Sequence, residues 1–399
     1  MNILYIVQQS IYNNEGKWLS ADSNIQMTMG IVNELILKTD WTVDIMLAPL
    51  KNFADLNDYQ DLCINKSPRI HFIERDGPVS AFTNRYHFDV NLFDRVLGCE
   101  NYDIIINNII ELTRNIKTLL YDNKLDTKII VGNYWMDCPE IGENKVPKEI
   151  SYDWRQIDGA ECADLVTFTC YSTKRIFLKN LETKFNAPKC STIIQMKSTI
   201  WNFGFSAEEL DRYKTTEKFD RLTVVFPNRL SGINYTHHKE FIQVVNELYN
   251  EGYNFQVVFT NPSGKVSWEE LKKLVKPLKI ISEKPLNRKE YIELLWMSDI
   301  VVSLYTIERY GGCANVEAIY CGNYPVMTKF GEYLTRVPPE FDNFVEVDLS
   351  NLKEVLKKVL TTKVDPNFYA RIKENITSTS SYERVSRRVI SDIERLFDD

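Results

Sequence analysis

At 399 residues the chain exceeds the size at which a single hydrophobic core usually stops growing, so two domains are expected. A hydrophobic fraction of 44% and an aromatic fraction of 12% exclude a disordered chain, while a formal net charge of −7 argues against a wholly basic nucleic-acid surface and leaves room for a local basic cleft. Eight cysteines without a C-x-x-C pair, and only four histidines, point away from structural zinc and toward reduced thiols. Met1 to Val7 carries no basic leader and no apolar run is long enough to span a bilayer, so a soluble, cytoplasmic protein with no membrane partner is expected.

Asn2 to Gln8, NILYIVQ, reads as an opening strand, followed by a polar loop that reaches Ser23 with Trp18 in its middle. Loops beyond the carboxyl ends of parallel strands hold ligands, so Trp18 is a candidate stacking or lid residue; it could equally pack down as a loop anchor. Ile25, Met29, Val32 and Ile36 recur at helical spacing over Ser20 to Lys38, and strands are expected at Thr42 to Ala48 and Arg69 to Glu74. Asp76 to Phe93 reads as a polar, aromatic loop. Arg75, Arg85, Tyr86 and His87 interleave cations with rings, the combination that stacks bases and neutralises phosphates; a solvated loop with one or two buried rings is the plainer alternative.

Strands at Asp103 to Asn107 and Lys128 to Gly132 bring the count to five, a Rossmann-like pattern. Tyr134, Trp135 and Asp137 follow the last of these. Asp137 could orient or deprotonate an acceptor hydroxyl, or simply cap the next segment. Ala163 to Thr169 and Ser172 to Asn180 form a further strand and helix, with Ser172 as N-cap, and the chain then turns irregular. The expected division is a first domain over 1–200, a linker over 201–220, a second domain over 221–375 and a C-terminal helical segment over 376–399.

The second domain opens with an apolar strand, Arg221 to Phe226, then Asn228-Arg229-Leu230-Ser231-Gly232. His237, His238 and Lys239 lead into a helix over Glu240 to Asn250. Arg229 at a strand end and Lys239 at a helix start converge where helix N–H groups also point, which is diphosphate chemistry; two unrelated surface cations are the alternative. A strand at Asn254 to Thr260, a helix at Trp268 to Lys276, a short strand at Lys279 to Ile281 and a helix with an alternating-charge face at Asn287 to Met297 follow. The β-branched run Ile300 to Leu304 then enters a turn containing Glu308, Arg309, Gly311, Gly312 and Cys313, a helix at Ala314 to Tyr320 and a strand at Tyr324 to Met327. Such a turn aims backbone N–H groups at an anion. Glu317, one turn inside the helix, could accept both hydroxyls of a ribose, or merely favour the helix dipole. A strand at Phe344 to Val347 and helices at Leu352 to Leu360 and Ser381 to Leu396 close the chain.

Asn228-Arg229-x-x-Gly232 with Thr236, Lys239 and Phe241, and Asn315-Val316-Glu317 followed by Cys321-Gly322-Asn323-Tyr324-Pro325-Val326, resemble GT-B glycosyltransferases and, within them, phage DNA α-glucosyltransferases. The resemblance covers the second domain well and the first only as fold and order. It implies an α/β chain of two Rossmann-like domains facing across a cleft, with the C-terminal helix packing back toward the first. It also implies a nucleotide-sugar co-substrate, with no cofactor and no metal required. Arg229 and Lys239 would hold the donor diphosphate and neutralise the leaving group, and Glu317 would hold the ribose. Asn228, Gly311, Gly312, Cys313 and Asn315 would lie along the diphosphate and sugar. Asp137 would orient the acceptor hydroxyl.

Two positions depart from the family pattern. Where many retaining members carry a glutamate eight residues before Glu317, this chain has Arg309, with Glu308 one further back; the first-domain histidine of the family is Met136 here. The expected reaction is a retaining transfer from UDP-glucose or another UDP-sugar to a 5-hydroxymethylated pyrimidine in DNA, with Trp18, Arg75, Arg85, His87, Tyr134 and Trp135 on the acceptor side. A glycan, lipid or RNA nucleoside is the alternative acceptor. A non-catalytic binding module is the third reading, and the presence of Arg229, Lys239 and Glu317 weighs against it.

Overall fold

The computed structural model of the chain describes residues 1–7, 23–47, 67–74, 88–133, 154–183, 185–228, 230, 236–260, 268–281, 286–306 and 312–398. The chain divides into two compact units, Met1–Asn202 joined by Val385–Asp399, and Phe203–Arg384. Each is a parallel sheet with helices, an α/β architecture.

The first unit runs β1 (Asn2–Ile6), α1 (Ser23–Lys38), β2 (Thr42–Leu47), β3 (Ile70–Glu74), α2 (Val90–Cys99), β4 (Ile104–Asn107), α3 (Thr113–Asp122), β5 (Lys128–Asn133), α4 (Trp154–Cys162), β6 (Leu165–Phe168), α5 (Tyr171–Thr183), α6 (Pro188–Met196) and β7 (Ser198–Ile200). Its sheet order is β3-β2-β1-β4-β5-β6-β7, all parallel. Strands covered on both faces must be apolar throughout, which is why Ile3 to Ile6 and Ile104 to Ile106 are fully buried runs rather than alternating ones. Outward progression from β1 to β2 and from β4 to β5 makes β1 and β4 the place where strand order reverses.

The second unit contains α7 (Ala207–Arg212), β8 (Thr223–Phe226), α8 (His238–Asn250), β9 (Gln256–Phe259), α9 (Trp268–Leu274), α10 (Arg288–Met297), β10 (Ile300–Ser303), α11 (Cys313–Tyr320), β11 (Tyr324–Thr328), β12 (Phe344–Val345), α12 (Leu352–Thr361) and α13 (Pro366–Ser380). A further helix, α14 (Tyr382–Glu394), starts in this unit and ends in the first. The sheet order is β12-β11-β10-β8-β9, again parallel. Phe226 of β8 stacks on Phe241 of α8 with centroids 4.9 Å apart, pinning that helix to the sheet just below its N-terminus.

Several elements differ from expectation for identifiable reasons. Ser172 lies inside α5 rather than capping it, because the Cys170 sulfur accepts from the Thr173 N–H at 3.4 Å. Lys279 to Ile281 forms no strand: Leu278 makes one isolated bridge to Val257. The stretch read as irregular holds α6, begun by Pro188, and α7, capped by Ser206 accepting from Glu209 N at 3.1 Å. Asp89 starts α2 within what reads as a loop, by accepting from Leu92 N at 3.1 Å. The helix expected from Ser381 begins at Tyr382, since Ser381 is held extended against Phe205, and α13 precedes it behind an Asp365-Pro366 start. The end of α14 packs back on the first unit: the Trp201 indole donates to Asp392 Oδ2 at 3.0 Å, and Arg388 Nε to Thr199 Oγ1 at 3.0 Å.

Candidate functional site

In the second unit, β8 and β10 are neighbours, paired Val224 to Ile300 and Val225 to Val301. From β8 the chain passes through α8 to β9 on one side; from β10 it passes through α11 to β11 on the other. Strand order therefore reverses between β8 and β10, and the crevice outside their carboxyl ends is where open α/β sheets take ligands. The N-termini of α8 and α11 both follow strands that end there. Each presents the positive end of a helix dipole, which suits an anion.

On the α8 side, Asn228 is buried. Its Nδ2 donates to Ser303 Oγ at 3.3 Å and to Val302 O at 3.5 Å, so the amide stitches the end of β8 to the end of β10. Ser303 in turn shares a hydrogen bond with the Tyr333 hydroxyl. Lys239, the second residue of α8, is exposed and has no hydrogen bond or ion pair among the described residues. His237 caps the helix with φ +50°, a left-handed conformation that a non-glycine side chain adopts only when its surroundings hold it. What holds it is a hydrogen bond between its Nε2 and Thr306 Oγ1 at 2.7 Å, which ties α8 to the chain leaving β10. Its neighbour His238 is buried against Thr236, and burial, with the Lys239 cation second, lowers its pKa.

On the α11 side, Gly312 precedes the helix at φ +33° without a side-chain cap. The turn stays narrow because Asn315 N donates to Gly312 O at 3.0 Å. The buried Arg336 also reaches that carbonyl, with Nη1 at 3.5 Å. Asn315 is fully buried, and neither atom of its amide has a hydrogen-bond partner among the described residues. Burial, reinforced by the nearby Glu317 charge, pushes the Cys313 thiol well above the usual range.

Glu317 is 5% exposed. A carboxyl group that deep needs a partner, and Arg288 supplies it, Nη2 donating to Glu317 Oε1 at 2.6 Å. The same guanidinium bonds Glu209 through Nε to Oε1 at 3.0 Å and Nη2 to Oε2 at 2.7 Å. Tyr291, one turn further along α10, adds its phenol beside Glu317; burial and then that carboxylate raise its pKa well above the usual value. Arg288 and Glu209 are the residues of this cluster that the sequence reading misses. Their signal is faint: Arg288 follows an Asn287 capping box, with Glu290 N donating to Asn287 Oδ1 at 3.0 Å, a device that fixes the first turn and so which way Arg288 faces.

Of the residues expected at the site, Asn228, Lys239, Gly312, Cys313, Asn315 and Glu317 are gathered around the two helix starts. Trp18, Arg75, Arg85, His87, Tyr134, Trp135, Asp137, Arg229, Glu308, Arg309 and Gly311 lie outside the described residues. Arg69, at the edge of the basic stretch, is occupied elsewhere, its Nη1 donating to Thr39 O at 2.6 Å and Nη2 to Ile36 O at the end of α1. Among the described residues no group of three or more His, Cys, Asp or Glu could hold a metal ion, and no helix is long and apolar enough to cross a membrane.

No family model matches the chain. A 261-residue stretch is 23% identical to tRNA-queuosine alpha-mannosyltransferase of Drosophila melanogaster, spanning 60% of this chain and 66%, just under two thirds, of that curated relative. The fold is similar to that of sucrose-phosphate synthase from Thermosynechococcus elongatus, with TM-score 0.68 and 14% identity over 100% of this chain and 99% of that one. It is also similar to Anabaena HepE in complex with UDP-glucose, with TM-score 0.65 and 13% identity over 99% of this chain and 100% of that one. Two parallel-sheet α/β domains of this kind are the GT-B fold.

Proposed function

We propose that the chain is a glycosyltransferase that moves a sugar from a UDP-sugar to a hydroxyl on a modified nucleobase. The observation that carries this reading is the pair of helix N-termini, α8 and α11, at the strand-order reversal of the second unit, with a buried carboxylate one turn inside α11. An anion bound by N–H groups and Lys239, next to a carboxylate suited to a ribose diol, is a nucleoside diphosphate in chemical terms. The complex of HepE with UDP-glucose supports a UDP-sugar as the donor. In the transfer, the bond between the anomeric carbon and the diphosphate oxygen breaks and negative charge grows on that oxygen. Lys239 and Arg229 neutralise it, and the acceptor hydroxyl attacks the anomeric carbon on the same face, its proton passing to the departing phosphate.

The acceptor implied by the resemblance to phage DNA α-glucosyltransferases is a 5-hydroxymethylpyrimidine in DNA, and the interleaved cations and rings of Arg75, Arg85, Tyr86 and His87 suit a flipped nucleotide. A nucleoside in RNA is the second reading, favoured by the tRNA substrate in the name of the Drosophila relative. Labelled UDP-sugars incubated with hydroxymethylcytosine duplex, plain cytosine duplex and bulk tRNA separate them. Label in the hydroxymethylated duplex alone is expected; label in tRNA alone installs the second reading. For the donor site, Lys239→Ala should weaken UDP binding by about tenfold, the usual worth of a charge-assisted phosphate contact, and unchanged binding by titration calorimetry removes Lys239 from the site.

A further inference from the structure

Glu317 is held by more than a structural acid would need. One arginine is enough to offset one buried carboxylate, yet Arg288 faces two, Glu317 on α11 and Glu209 on α7. Nη2 bonds both acids, and Nε adds a second bond to Glu209, so Glu209 takes the guanidinium in a fork that fixes its plane. Stacking of the guanidinium over the Tyr291 ring, 5.6 Å from the centroid, restrains it from another side. The consequence falls on Glu317. Its Oε1 is anchored and its rotamer is set. A carboxylate fixed in this way can accept from the two hydroxyls of a ribose.

We infer that Arg288, anchored by Glu209, is a positioning residue for the nucleotide: it fixes Glu317 so that the carboxylate selects a ribose carrying free hydroxyls. This rests on the assignment of Glu317 to the ribose. It makes α7 and α10, neither of which supplies an N-terminus to the crevice, part of the donor-selection machinery. It also explains why the first turn of α10 is built on a full capping box, since a frayed turn would let the guanidinium swing away.

The test compares calorimetric binding of UDP, 2′,3′-dideoxy-UDP and pyrophosphate to the full chain. The wild type should prefer UDP to its dideoxy analogue by about tenfold or more, the worth of hydrogen bonds to a charged acceptor. Arg288→Lys keeps the charge but cannot bond both carboxylates in the same geometry. It should cut that preference to about threefold or less while pyrophosphate binding, which has no ribose to read, stays within about twofold. Glu209→Gln leaves the Arg288–Glu317 contact in place and should give an intermediate loss of preference; it serves as the deciding variant if Arg288→Lys does not fold. Undiminished preference in these variants, with Glu317→Gln losing it, overturns the positioning role and leaves the ribose assignment standing. If Glu317→Gln also keeps the preference, the ribose assignment itself fails. Parallel loss of pyrophosphate and UDP binding would show general damage to the unit, and the positioning role would be dropped.

Discussion

Glu317 and Lys239 sit at opposite extremes of solvation, one buried and one exposed, and that difference sets what each substitution should do. Removing the charge from Glu317 relieves a desolvated acid, so Glu317→Gln should leave stability near the wild-type value or slightly above it while UDP affinity falls by about tenfold. Denaturant midpoints and calorimetry on the same sample check both parts. A variant that melts early and binds UDP normally would mark Glu317 as a structural acid. The burial of Glu317 is readable from its neighbours, Val316 and Ala318, which share an apolar helix. Arg288 is not, because in Arg-Lys-Glu-Tyr the charges read as a solvated face; Lys289 and Glu290 are exposed and only Arg288 is turned inward. Asn228 is legible as a strand-end residue, but not that its amide is committed to β10, since that depends on which strands are neighbours.

The elements that approach the backbone of another element make sharper predictions than those that pack through long side chains. Gly159 of α4 lies against the turn at Ile110–Leu112, where an added Cβ would stand 2.1 Å from the Ile110 carbonyl oxygen. A main-chain atom cannot swing aside, so Gly159→Ala should destabilise the chain by about 1–3 kcal/mol, seen as a lower denaturant midpoint. The start of α8 should carry a pH signature. His238 has a folded-state pKa below its ordinary 6.5, burial being the larger cause and Lys239 the next, with His237 acting in the same sense and Glu240 opposing. Below that ordinary value the unfolded chain takes up a proton before the folded one does. Stability contributed here is therefore present above about pH 6.5 and declines as pH falls toward the lowered value. Midpoints measured at about pH 7 and about pH 5.5 should show the decline, and His238→Gln should flatten it. Most strands of both sheets are legible from short β-branched runs. Helices α2, α6, α7 and α13 are not, because their starts depend on one polar cap or a proline.

For the molecule as a whole, the proposed donor site lies in one unit, and the energetic effect of donor binding should be greatest there. UDP at about a hundred times its dissociation constant adds about 2.7 kcal/mol to the stability of whatever binds it. Hydrogen exchange should therefore slow at the starts of α8 and α11 and through β8 and β10, with little change in β1 to β7. Protection appearing first in Met1–Asn202 would move the donor to the other sheet. The two-sheet plan is legible in the sequence because most of the buried parallel strands announce themselves, whereas the return of Val385–Asp399 to the first unit is set by contacts as distant as Asp392 with Trp201. That return makes Phe203–Arg384 an uninterrupted insertion within the other unit. During synthesis the inserted half has all of its residues once Arg384 has left the ribosome, while the half begun first still lacks the segment that seals Trp201 and Thr199. The earlier-made half is the later to be completed.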